Sequence, residues 1–125
     1  MARDPRAFLW DVRESADAIL RFTAARTERE YRQDEMLRAA VERHFEIIGE
    51  ALNRLTRANP ALATRIPGAR QAIAFRNLLI HGYAAVDDAT VWRTVRDDLP
   101  GLRETVAELL GELDDDPDSA APSSA

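Results

Sequence analysis

The chain has 125 residues, and its 22 acidic residues outnumber 17 basic ones for a formal charge of −5, with no cysteine anywhere. That length suits one domain, and 46% hydrophobic with 31% charged residues suits a soluble globular core. Disulfides, thiolate catalysis and cysteine-bound zinc are excluded, no window is apolar enough for a membrane span, and Met1 to Arg6 does not open a signal peptide, so a cytoplasmic setting is expected.

Asp4 followed by Pro5 reads as a helix cap with proline in the first turn. Leu9, Val12, Ala16, Ile19 and Thr23 then recur at helical spacing, which predicts helix one over about residues 5–26. The charged stretch Arg26 to Arg32 is expected to be a turn. Asp34 caps helix two, whose apolar face runs Leu37, Val41, His44, Ile48, Ala51 or Leu52, and Leu55. Asn59-Pro60 and Pro67-Gly68 mark an irregular connection, because the residue before a proline is pushed out of the helical region.

Helix three is predicted over Ala69 to His81, ending at Gly82 in a left-handed C-terminal conformation. Asp87 and Asp88 are candidate caps for a short helix bearing Val91, Trp92 and Val95. Leu99-Pro100 should break that helix before a last one carrying Leu102, Val106, Leu109, Leu110 and Leu113. No segment alternates with period two for the length of a strand. The expected fold is all-α, an antiparallel up-and-down bundle of four to five helices over residues 1–113, followed by a disordered acidic tail at 114–125.

Charge is unevenly spread. Ala51 to Val86 contains no acid and five arginines, whereas the expected tail holds four acids. Every cation in the chain is arginine, so each can contact a phosphate bidentately. The basic centre therefore reads as a localised phosphate-binding face within an acidic protein.

Of the two histidines, His44 lies among apolar positions and reads as a partly buried structural residue. The carboxylates of Glu42, Glu46 and Glu50 read more simply as a solvated stripe than as acid–base machinery. No metal site is expected, since the histidines lack ligand partners at helical spacing.

The run Phe75-Arg76-Asn77-Leu78-Leu79-Ile80-His81-Gly82-Tyr83 carries the candidate chemistry. On a helical wheel with Arg76 at the origin, Ile80 falls at about 40°, Asn77 at about 100° and His81 at about 140°. With Ala72, Phe75, Leu78 and Leu79 taken as the core side, Arg76, Asn77, His81 and Tyr83 share the other. Ile80 is then an apolar anomaly, which a symmetric partner helix would cover. Histidine can exchange protons with a ribose 2′-hydroxyl and a leaving 5′-oxygen, and arginine can hold the phosphate between them.

The run Arg76, Asn77, His81, Tyr83 resembles the signature of HepT-like toxins in the HEPN superfamily of helical-bundle ribonucleases. Asp34, Ala40 to Arg43, Glu46 to Ala51, Ile66-Pro67, Trp92 and Asp98 to Pro100 with Leu102 extend the resemblance over about residues 5–113, although Gly68 stands where many members carry tryptophan. The resemblance implies a dimeric, metal-independent endoribonuclease without cofactor, the toxin of a type VII-like toxin–antitoxin pair. Arg76 and His81 would be catalytic in a dimer cleft, Asn77 would support RNA or phosphate binding, and Tyr83 would accept AMP from an MntA-like nucleotidyltransferase antitoxin. The alternative is a non-catalytic helical partner of a nucleotidyltransferase or a nucleotide-binding module.

Overall fold

A computed structural model describes residues 3–82 and 86–115, which are helical throughout apart from short connections and contain no strand. Helix α1 spans Pro5–Thr23, and the Asp4 side chain accepts a hydrogen bond from the Arg6 amide at its start. Its stripe of Leu9, Val12, Ala16 and Ile19 is fully buried. After α1 the expected turn is instead a short helix, α2, Glu28–Gln33. Thr27 accepts from the Glu30 amide while the Glu30 carboxylate accepts from the Thr27 amide, a reciprocal cap that nucleates one more helical turn. That turn buries Tyr31 completely against Trp92, with ring centroids 5.6 Å apart.

Helix α3, Glu35–Ala58, is capped by Asp34 as the sequence predicts, the carboxylate accepting from Leu37 at 3.0 Å. It is the central element, packed against both α1 and α5. Asn59 caps a further short helix, α4, Pro60–Ala63, within the connection expected to be irregular. Helix α5 spans Ala69–His81, the predicted bounds. Two glycine readings change. Gly82 has φ −86° and is not left-handed, whereas Gly68, ahead of α5, has φ +89°, a conformation that costs little only for glycine.

Asp87 caps α6, Asp88–Arg93, accepting from Thr90 at 2.7 Å. The expected break at Leu99-Pro100 does not occur. A π-helical turn, Thr94–Asp98, leads straight into α7, Leu99–Asp115. Proline has no amide to donate and its ring crowds the carbonyl four residues back, and here the wider turn precedes it, with the Leu99 amide bonding five residues back to Thr94. Arg96 in this turn lies over the Trp92 ring and donates to the Thr23 and Arg26 carbonyls, tying the end of α1 to the later helices. Helix α7 takes in Asp114 and Asp115 of the expected tail, and the tail's remaining residues lie outside the described ones.

The main helices stack in the order α5, α3, α1, α7, because α3 packs on α1 and α5, and α1 packs on α7. The extensive packing of α5 is with α3 alone. Between α5 and the start of α7 lies a groove of about 560 Å³, floored by Phe45 and Ile48 of α3 and walled by Phe75, Leu99 and Leu102, with Asp97 and Asp98 also lining it.

Candidate active site

Helix α5 was expected to turn Arg76 away from the core, and here the structure differs. A Cβ placed on Gly49 of α3 would lie 2.2 Å from the Arg76 Cβ and 3.1 Å from the Ala72 carbonyl oxygen, so the stem of Arg76 rests directly on the α3 backbone. Ala69, Ile73 and Arg76 therefore form the α3-facing edge, with Ala69 buried and Ile73 packed on the core. Ile80 continues that edge and is partly buried, so it is no anomaly. The outward apolar residue is Leu78, 45% exposed, which the wheel had assigned to the core. The expected core side holds at Ala72, Phe75 and Leu79, which pack on the core, with the Phe75 ring 5.1 Å from that of Phe45 on α3, and Arg76 joins them because Gly49 lets it approach.

Arg76 emerges from this contact half-buried, and its guanidinium is held at two points. One terminal nitrogen donates to the Glu50 carboxylate at 2.7 Å and the other to the Asn77 side-chain oxygen at 2.9 Å. Glu50 also accepts from Arg54 at 3.0 Å. An arginine carries five N–H donors, so with two engaged, three remain for an anion. The cluster of Arg54, Arg76 and Glu50 keeps a net positive charge and attracts phosphate.

His81 is the last residue of α5 and is exposed. It follows Arg76 by five positions, about 7.5 Å along the axis and roughly 140° around it. The chain then tightens at Gly82, whose amide bonds to the Leu78 carbonyl at 2.6 Å and where a Cβ would meet that oxygen at 2.5 Å. Tyr83, the fourth expected contributor, lies outside the described residues. The structure thus brings Arg76 and Asn77 together and sets His81 one turn further along an exposed helix end.

The other candidates separate into structural roles. The His44 ring lies 3.0 Å from the Ser15 hydroxyl and 5.8 Å from the Phe22 ring, joining α3 to α1 as a structural histidine. Burial, followed by the nearby Arg21 and Arg43 charges, holds its pKa below the usual imidazole value. Glu46 pairs with Arg43 at 3.6 Å while Glu50 is engaged by two arginines, so these carboxylates do not work as a pair. Burial, with Asp88 and Glu46 adding repulsion, raises the Glu42 carboxyl above its ordinary value. Among the described residues no three His, Asp or Glu side chains gather as a metal site would require. The basic centre is also less bare than its sequence: Arg65 pairs with Glu112, and Arg54 and Arg76 with Glu50. Gly49 is the site residue that sequence reasoning passed over, and Glu50, expected to belong to a solvated stripe, is instead held by two arginines. The available signal was a glycine on the buried face of an otherwise good helix, which implies close approach of a neighbour.

Known proteins resemble this chain over most of its length. The model of the family described as "Ribonuclease HepT-like" matches residues 12–109. A protein of Methanocaldococcus jannaschii named "Putative RNase MJ1380" is 35% identical over 104 residues, covering 83% of this chain and 94% of its own. A Thermococcus cleftensis protein named "Probable ribonuclease HepT" is 34% identical over 109 residues, 87% of this chain and 98% of its own. A second Methanocaldococcus jannaschii protein, "Putative RNase MJ1216", is 30% identical over 112 residues, 90% and 92% of the two chains. No solved structure matches significantly. An all-helical chain matched by that family over most of its length is a ribonuclease of the HEPN class. The chain belongs to the ribonuclease HepT-like family. No helix among the described residues is long and apolar enough to cross a membrane.

Proposed function

We propose that this protein is the toxin of a two-component pair, an endoribonuclease that needs no metal and cleaves RNA with Arg76 and His81 in a cleft formed by two copies. The observation that carries the reading is the anchored Arg76 guanidinium, held by Glu50 and Asn77 on the same helix end that leaves His81 exposed. In the step envisaged, a neutral His81 takes the proton of the ribose 2′-hydroxyl. The 2′-oxygen attacks phosphorus, and the bond to the 5′-oxygen breaks as a protonated His81 donates to it, leaving a 2′,3′-cyclic phosphate and a 5′-hydroxyl. Arg76 stabilises the charge that grows on the phosphoryl oxygens. Two copies supply the two histidine forms, and the exposed Leu78 between Asn77 and His81 favours apolar contact at that end.

Neutralisation follows from the same chemistry. AMP attached to Tyr83 by a nucleotidyltransferase antitoxin would place a bulky anion two residues from His81, where it competes with RNA phosphate for Arg76. The experiment is growth of cells expressing the toxin with and without a cognate nucleotidyltransferase. Arg76→Ala and His81→Ala are expected to abolish toxicity. Tyr83→Phe is expected to stay toxic when the partner is present. Neutralisation of Tyr83→Phe as complete as that of the native protein would remove the modification from the account.

A further inference from the structure

Arginine is a poor catalytic group when free, because four rotatable bonds scatter its guanidinium and that disorder opposes binding at each encounter. In this protein both ends of the side chain are restrained from α3. At the near end, Gly49 leaves no room for a Cβ, and Arg76 fills the gap with its own Cβ and Cγ. At the far end, Glu50, the next residue, accepts from the guanidinium at 2.7 Å. Gly49 and Glu50 can serve together because neighbouring positions on α3 present a bare backbone and a long acceptor to the same approaching helix.

We propose that Gly49 and Glu50 form a seat on α3 that aims the Arg76 guanidinium, which makes Glu50 a positioning residue for RNA cleavage. The inference rests on the reading of Arg76 as the group that holds the scissile phosphate. A carboxylate touching that arginine could instead compete with RNA, and two features favour positioning. Glu50 engages one terminal nitrogen and leaves three N–H donors of Arg76 open. It is also shared with Arg54 at 3.0 Å, so its charge is divided between two cations and the cluster stays attractive to phosphate. Glu50 is partly exposed, so its replacement leaves the core intact.

The test compares the full-length native protein with Arg76→Ala, Glu50→Ala and Glu50→Gln, each confirmed helical by circular dichroism, on one short RNA in EDTA. Arg76→Ala is expected to be inactive. Glu50→Ala is expected to lower kcat roughly tenfold or more, as loss of orientation does, with KM unchanged or reduced because a negative charge near the RNA has gone. Glu50→Gln keeps an acceptor oxygen at the same reach and is expected to recover much of kcat. With Arg76→Ala inactive, a Glu50→Ala kcat equal to or above native overturns the positioning role, as does a defect wholly in KM. Native-like cleavage by Arg76→Ala overturns the reading beneath it and the seat together. Arginine side-chain NMR gives a readout apart from activity: hindered Arg76 guanidinium rotation in the native protein, relaxed in Glu50→Ala, is expected. Equal rotation in both contradicts the proposal.

Discussion

Helices α1 and α5 both pack on α3 and are built in opposite ways. Helix α1 contributes Leu9, Val12, Ala16 and Ile19, all fully buried, and is clasped by α3 on one side and α7 on the other. Helix α5 fully buries only Ala69, leaves Leu78 half in solvent, and adds to its Phe75–Phe45 ring contact with α3 a close approach at Gly49 and an arginine–glutamate pair. The difference shows a division of labour. Apolar interlocking makes α1, α3 and α7 a scaffold, and α5 is an outer helix packed extensively on α3 alone, whose contact with that scaffold, on the proposed reading, aims a side chain. Functional elements are commonly drawn from the less stable parts of a fold.

Truncation is expected to tell the two regions apart. Leu52→Ala, on the buried face of α3, is expected to cost about 2–5 kcal/mol in urea unfolding, whereas Leu78→Ala should stay within about 0.5 kcal/mol. Next in size is Gly49→Ala, which drives a methyl into Arg76. A loss of about 1–3 kcal/mol is expected, as for other overpacked contacts, together with slower cleavage. A silent Gly49→Ala would mean that α5 is not seated as described.

Smaller effects sharpen the scaffold side. The Tyr31 hydroxyl is buried with no hydrogen-bond partner among the described residues, and burial, ahead of the Glu42 and Asp88 charges, raises its pKa far above the usual phenol value. Tyr31→Phe removes a polar group already cut off from water and is expected to raise stability by up to about 1 kcal/mol, read by thermal or urea melts. The smallest effect is at His44. Its folded pKa lies below the ordinary 6.5, so the folded state favours the neutral ring. That contribution is full above pH 6.5 and is lost as pH falls from there toward the lower folded value. Unfolding measured across this window should show a slope that His44→Ala reduces.

What could be read from the residues depended on how local the cause was. The caps at Asp4, Asp34 and Asp87 and the bounds of α5 were legible, because a carboxylate at an amide end and an apolar period act within a few positions. The reciprocal cap at Thr27 and Glu30 was equally local but was masked by the surrounding charge, which hid both α2 and the burial of Tyr31. The continuity of α6 into α7 was not legible, since proline alone signals a break and the π turn preceding Pro100 leaves no pattern of its own. Arg76, Asn77 and His81 were found as a group, but the direction of Arg76 was set by Gly49 and Glu50 on another helix. No periodicity within α5 could show that. The wheel even placed Leu78 inward, because α5 carries apolar residues around much of its circumference.

On the proposed function, the end of α5 is a nuclease centre run by Arg76 and His81. Its most direct measurement is the chemistry of the cut ends when purified protein acts on RNA in EDTA. Native protein is expected to leave 2′,3′-cyclic phosphates and 5′-hydroxyls, and Arg76→Ala and His81→Ala, both still helical, are expected to leave the RNA intact. Cleavage by His81→Ala at the native rate, or 3′-hydroxyl products formed only when a divalent metal is restored, would contradict it.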